Sequence, residues 1–184
     1  SISSTGTVEP EEVIDVGAQV AGLIFAFGKD DKGKPIDYGS EVEAGTVLAQ
    51  IDDSLYAADV ATAQAQYSRA KADLATAKAK LAQAERDWGR AQKLVSSDAL
   101  SQANFDGYRA AYDSAQASIL VADSGIAQAE AALKKAQRNL SLCTITSPVK
   151  GVIIDRRVNI GQTVVSSLNA PSLFLLAKDL RHMQ

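Results

Sequence analysis

Large apolar side chains return at every seventh position through the middle of this chain, and few folds accept such a pattern. From Val60 the line runs through Tyr67, Leu74, Leu81, Trp88 and Val95, and three residues after each of the first five stand Ala63, Ala70, Ala77, Ala84 and Ala91. A second stretch repeats the arrangement, with Phe105, Tyr112, Ile119, Ile126, Leu133 and Leu140 in one line and Tyr108, Ala115, Ala122, Ala129 and Ala136 in the other. Sustained heptads of this kind are coiled-coil seams. Pairing a large residue with Ala lets two antiparallel backbones approach closely, each Leu or Ile filling the space beside a facing Ala. At about 1.5–3 kcal/mol for each large side chain buried, such a seam holds two helices together without a globular core. Roughly forty residues per arm, at about 1.5 Å each, predict a hairpin roughly 60 Å long.

The ends of the two helices are written in the sequence as well. Asp52-Asp53-Ser54 offers an N-cap with carboxylates where the helix dipole favours negative charge, and the first helix is expected from there to about Val95. Ser96 to Ser101 breaks the heptad, so the chain turns there, and the Ser101 hydroxyl is placed to cap a second helix that returns to about Leu140. Off the seam, Lys71, Asp73, Lys78, Lys80, Glu85 and Arg86 give a solvated face, and Glu130 with Lys134 forms a favourable i,i+4 pair. Gly89, Gly107 and Gly125 each weaken helix by about 1 kcal/mol, which points to close approach or bending.

Composition changes on either side. Ala is concentrated between Ala57 and Ala136, whereas Val, Ile, Gly and Pro gather before Asp52 and after Thr144, so the flanks read as β. Val13–Val16, Gly22–Phe25, Gly45–Ile51, Thr144–Ile154, Gly161–Val165 and Leu173–Leu176 are the strand-like runs. Gly28 to Gly39 is a long polar insertion; its Asp30, Asp31 and Asp37 lack EF-hand spacing and read as a solvated loop rather than a calcium site. The flanks also echo one another. Val20-Ala21-Gly22-Leu23-Ile24 matches Val149-Lys150-Gly151-Val152-Ile153, and Gly45-Thr46-Val47 aligns with Gln162-Thr163-Val164 after Gly161. One β-domain built from two half-motifs, split by the hairpin, follows: residues 1–52 as the first half, 53–141 as the hairpin, and 142–184 as the second half running into a further domain. The fold class is α+β.

Chemistry is scarce. A net charge of −3 with interspersed signs gives no field for nucleic acid. The single Cys143 excludes an internal disulfide and reads as a small buried residue at a strand start, and the single His182 lies at the chain end. No phosphate-binding Gly-rich loop or metal-ligand cluster occurs, so no cofactor and no catalytic residue is expected. No run approaches the roughly twenty apolar residues of a membrane span, which predicts a soluble segment. The abrupt beginning and end suggest part of a longer protein.

These residues together resemble a known family. The half-motifs Val20-x-Gly22 to Gly45 and Ser147-Pro148-x-x-Gly151 to Gly161-Gln162 are similar to a biotinyl/lipoyl-type flattened β-barrel, and a hairpin between the halves resembles the periplasmic adaptors, or membrane fusion proteins, of bacterial export machines. Thr5-Gly6-Thr7-Val8-Glu9-Pro10 and Ala170-Pro171-x-Leu173-Phe174-x-Leu176-Ala177 look like that family too, and Asp179-Leu180 with Met183-Gln184 is most similar to adaptors of macrolide-type ABC exporters. The resemblance implies a non-catalytic subunit in the periplasm, tied to the inner membrane by an anchor outside this chain. It would link an inner-membrane ABC transporter to a TolC-like outer-membrane channel and self-associate into a ring, a hexamer in the assembled pump. An RND pump, type I protein secretion, or a purely structural coiled coil are the alternatives.

Two groups of residues carry that expectation. Arg90, Leu94 and Ser101 reproduce the Arg-x3-Leu-x6-Ser spacing found at the tips of adaptors that dock on TolC-type channels. Arg90 and Leu94 lie one helical turn apart, and Arg, Leu and Ser offer several donors, an apolar knob and a short hydrogen bond. Taken alone, Arg90 reads equally as a solvated flank and Ser101 as a cap only. The loop Asn159-Ile160-Gly161-Gln162 is, on the same resemblance, a candidate pore-lining loop through Asn159 and Gln162. A lipoyl-like fold also raises a cofactor carrier, but the turn that would present a modified Lys is replaced by the hairpin, and Lys150 sits beside a strand Gly. Expressed with lipoyl and biotinyl ligases, the chain is therefore expected to keep its unmodified mass by intact-protein mass spectrometry; an adduct on any Lys would overturn this.

Overall fold

The computed structural model describes residues 12–165 and 172–178. The chain divides into two compact units, one of Ser1–Ala57 with Arg138–Gln184 and one of Ala58–Gln137. Thr5–Pro10, Ala170-Pro171, Asp179-Leu180 and His182 to Gln184, which the sequence singles out, lie outside the described residues.

In the first unit the described strands are β1 (Val13–Gly17), β2 (Gly22–Phe27), β3 (Glu41–Val42), β4 (Val47–Ile51), β5 (Thr144–Thr146), β6 (Gly151–Arg156), β7 (Thr163–Val164) and β8 (Ser172–Lys178). They form two antiparallel four-stranded sheets, ordered β1-β8-β6-β3 and β5-β4-β2-β7. Exchanging β1–β4 for β5–β8 in order turns one sheet into the other. Each half of the sequence thus gives two strands to each sheet: the inner pair of each sheet comes from one half, β6 with β8 or β2 with β4, and the outer strands come from the other. The split-repeat reading and the α+β class hold.

The register between the halves needs correction. Val42 pairs with Gly151 as Val164 pairs with Gly22, so the counterpart of Gln162-Thr163-Val164 is Ser40-Glu41-Val42 and not Gly45-Thr46-Val47. The backbone bonds repeat as well: Gly39 donates to Ile153 and Gly161 to Ile24, at 2.7 and 2.9 Å, while Ile153 and Ile24 donate back to Ser40 and Gln162, both at 2.9 Å. Gly39 and Gly161 both have positive φ, 81° and 84°, where an L side chain is strained. The match was hidden because twelve residues separate Ile24 from the buried Ile36 but five separate Ile153 from its counterpart Val158. The Gly28–Gly39 loop therefore carries seven extra residues. It is not wholly solvated: Ile36 is in the core, while Asp30 Oδ1 accepts from the Lys32 and Lys34 amides at 2.9 Å each.

The core lies between the sheets. Ile24, Leu48, Ile153, Phe174 and Leu176 are fully buried, with Val42, Ile36 and Val158 beside them. The Phe27 and Phe174 rings meet edge to face, centroids 6.2 Å apart. Gly22 and Gly151 begin equivalent strands where side chains have no room: a Cβ would overlap Ile51 in the first case and the Ala177 carbonyl in the second. Ile51 donates its amide to the Cys143 carbonyl at 2.8 Å, which ties together the two ends of the segment that holds the helices. Beyond it, Tyr56 packs on the core and its hydroxyl donates to the Ala21 carbonyl at 2.6 Å.

Helix α1 runs Ser54–Val95 and α2 Gln102–Ser141, 42 and 40 residues long. The Asp52 carboxylate accepts from both the amide and the hydroxyl of Ser54, at 3.1 and 2.7 Å, and these bonds hold it below its usual pKa. In the second unit the seam falls where the heptads place it: Ala63, Ala77, Ala91 and Leu133 are buried, and the remaining seam positions are half-buried with one exception. Tyr108 is 41% exposed. The Trp88 and Phe105 rings, both on the seam, meet with centroids 4.9 Å apart at a tilt of 45°. Glu130 and Lys134 pair at 3.3 Å.

Two glycine classes should separate in urea unfolding. Gly151→Ala is expected to lose about 1–3 kcal/mol by overpacking against a strand backbone. Gly89→Ala meets nothing within 4 Å and should gain about 1 kcal/mol of helix stability.

Candidate functional site

The turn at the tip is built by a helix stop that sequence inspection missed. Asp98 takes the left-handed conformation, φ 58°, with Ala99 donating to Leu94 and Asp98 to Val95 at 3.2 and 3.4 Å. That pair of bonds is the Schellman closure usually made with Gly. Asp tolerates this conformation better than most residues, and that tolerance was the only available signal. Ser96 and Ser97 return their hydroxyls to the Lys93 and Leu94 carbonyls, and the Ser101 hydroxyl accepts from the Asn104 amide at 3.3 Å, so Ser101 caps α2 as expected.

Arg90 and Leu94 lie on the last turns of α1, and both are exposed, Leu94 at 44%. Arg90 is not simply extended into solvent. Its guanidinium turns back onto Asp87, one turn earlier, which also accepts from the Gln83 amide at 3.1 Å. The Gln83 bond first and the Arg90 bond second hold the Asp87 carboxyl below its ordinary value of 3.8. A lowered native pKa means the pair is complete above that value and is lost only as pH falls through the lower native one. Arg90 therefore keeps its partner throughout the neutral range.

The second candidate lies in the β-unit. Asn159 to Gln162 is a tight turn between β6 and β7: Gln162 donates its amide to the Asn159 carbonyl at 3.1 Å, and its side-chain oxygen accepts from the Asn159 amide at 3.2 Å. Ile160 at the apex is 60% exposed. The equivalent turn has the same bonds, Ser40 to the Asp37 carbonyl at 3.1 Å and Asp37 to the Ser40 hydroxyl at 3.0 Å, with Tyr38 at its apex, 77% exposed. Arg90, Leu94 and Ser101 belong to one unit and the two turns to the other.

Acid–base and metal chemistry find little here. Among the described residues no group of three or more His, Cys, Asp or Glu is placed to hold a metal ion. Asp30 is used by its own loop, and Asp37 by the Tyr38 amide and Arg156, which keep it below the usual carboxylate value. Cys143 is buried, its thiol pushed up chiefly by that burial. The Lys150 ammonium lies 2.8 Å from Glu43. No described helix is long and apolar enough to cross a membrane.

A family model described as "RND MFP, barrel-sandwich hybrid domain" matches residues 12–175. The chain belongs to the membrane fusion protein family. This adaptor is 30% identical over 178 residues to the pyoverdine export membrane fusion protein PvdR of Pseudomonas aeruginosa, covering 97% of this chain and 44% of PvdR. Among solved structures it is similar to MacA from Actinobacillus actinomycetemcomitans, with TM-score 0.84 and 30% identity over 92% of this chain and 50% of MacA. A MacA–MexA chimera carrying the Pseudomonas aeruginosa MexA α-hairpin matches at TM-score 0.53 and 30% identity, over 92% of this chain and 49% of the chimera. The adaptor is thus of MacA type, a helical hairpin set into a lipoyl-like β-domain, and it spans about half the length of these relatives.

The tip makes a stability test possible that is separate from docking. Ser101→Ala should cost about 1 kcal/mol through loss of the cap, and Ser101→Asp should restore it. Asp98→Gly should gain about 0.5–1 kcal/mol by relieving the left-handed residue. Denaturant midpoints of the three variants check both.

Proposed function

We propose that this adaptor couples an inner-membrane transporter of ABC type to a TolC-like outer-membrane channel through the tip of its hairpin. One observation carries the reading most: Arg90, Leu94 and Ser101 stand exposed around a capped helix turn, in a chain of MacA type. Leu94 offers an apolar knob, Arg90 a guanidinium already paired to Asp87 that can exchange that partner for channel carbonyls, and Ser101 a hydroxyl at the start of α2. The adaptor works in the periplasm at the inner membrane, is not an enzyme, and needs no cofactor. Residues 1–52 and 142–184 form the two halves of its β-domain, and 53–141 form the hairpin.

Ring assembly belongs to the same reading. Leu120 and Val121 lie off the seam and are 69% and 72% exposed, which leaves apolar surface on α2 for a neighbouring hairpin. A hexameric ring would place the Asn159–Gln162 turns around the transport path. The name of the matched domain, which refers to RND, favours a second reading in which the transporter is an RND pump.

The test is site-specific crosslinking in the assembled machine. With Cys143→Ala as background, a Leu100→Cys adaptor should crosslink to the TolC-type partner, and Arg90→Ala should reduce both crosslinking and export severely. Export unaffected by Arg90→Ala, with no crosslink formed, would reject docking in favour of a purely structural coiled coil.

A further inference from the structure

The two half-motifs are nearly symmetric in backbone, and they differ most in chemistry at one pair of positions. Five residues after Gly22 stands Phe27; five residues after Gly151 stands Arg156. These counterparts touch, the Arg156 guanidinium carbon lying 5.0 Å from the centre of the Phe27 ring. From that platform Arg156 reaches both turns at once. Its Nε donates to Asp37 Oδ1 at 3.0 Å, and its Nη1 donates to Asn159 Oδ1 and to the Val158 carbonyl, each at 2.7 Å. Asp37 and Asn159 are themselves counterparts, each opening a turn whose third residue is a positive-φ Gly. The side chain is 24% exposed, so these bonds are partly shielded from competing water. One planar cation with fixed, diverging donors serves two acceptors in different directions; an ammonium's donors rotate on a flexible stem and do not fix both geometries.

We infer that Arg156 is a positioning residue that couples the Asn159–Gln162 turn to the Asp37–Ser40 turn, making a two-turn rim with Ile160 and Tyr38 at its exposed apices. The inference deepens the reading above and rests on it for one point, that the Asn159–Gln162 turn faces the transport path. On that reading Tyr38 joins the rim, although sequence alone places it in a solvated insertion. The seven extra residues before Asp37 then lead into a functional edge.

Amide hydrogen exchange on the intact chain tests the coupling. In Arg156→Met, which keeps an unbranched stem and loses every donor, exchange at Gly161 and Gln162 and also at Gly39 and Ser40 should accelerate about tenfold, with the core amide of Ile51 unchanged. Arg156→Lys should fail to restore protection at both turns. Acceleration confined to 159–162 would overturn the coupling, as would no change at either turn. Should Arg156→Met unfold the unit, Asp37→Ala serves instead: it leaves Arg156 and Asn159 in place, and exchange at Gly161 should still accelerate, while unchanged exchange there overturns the proposal. The pore reading is tested separately with Tyr38→Cys and Ile160→Cys in the assembled pump. Thiol labelling that slows export at Ile160 but not at Tyr38 would overturn the shared rim; labelling without effect at Ile160 would reject the pore reading and leave the exchange result standing.

Discussion

The bond from the Ile51 amide to the Cys143 carbonyl joins residues about ninety positions apart, and the rest of the molecule depends on the pairing it represents. Strand β4 ends there and β5 begins there, so the two helices leave from and return to one hydrogen-bonded ladder. Tyr56 adds a second tie within the first turn of α1. Loop-closure entropy grows only with the logarithm of loop length, so an insertion this long is tolerable in a β-domain provided its ends are brought together. Two antiparallel helices do that by their own geometry. The heptad seam therefore serves the β-domain as well as the hairpin.

What sequence could show depended on the range of the interaction. The seam was legible because its period repeats over many turns, and Ser101 was legible because an N-cap is decided within three residues. Strand runs were legible from composition, but β3 was missed because two residues cannot display alternation. The half-repeat was recognised at Gly22 and Gly151, where steric exclusion by a neighbouring strand permits nothing larger, and misaligned after them because the loop lengths differ. Tyr108 shows the limit of periodicity: a heptad position states where a side chain can point, not that it will be covered there, and Tyr108 is 41% exposed.

The candidate sites follow the same division. Arg90, Leu94 and Ser101 were visible as a spacing, whereas Asp87 as the partner that holds Arg90 was not, since any acidic residue one turn away looks like ordinary surface charge. An exposed ion pair contributes little to stability, which makes its guanidinium readily transferable to another acceptor. Arg156 was invisible for a stronger reason. Its acceptors lie 119 positions upstream and three downstream, and only the exchange of strands between the halves brings them to one side chain.

That exchange of strands also has a kinetic meaning. Because each four-stranded sheet takes its outer strands from the other half, residues before the hairpin can form only the β2–β4 pair while the chain is still being made, and an isolated two-stranded pair is marginally stable. Helices form on local contacts and far faster than pairings of high sequence separation. The hairpin can zip before the barrel exists, and in doing so it replaces a search over a long flexible segment by an encounter between two strands already carried on adjacent helix ends. The inserted helices are thereby the part that times the folding of the strands on either side of them.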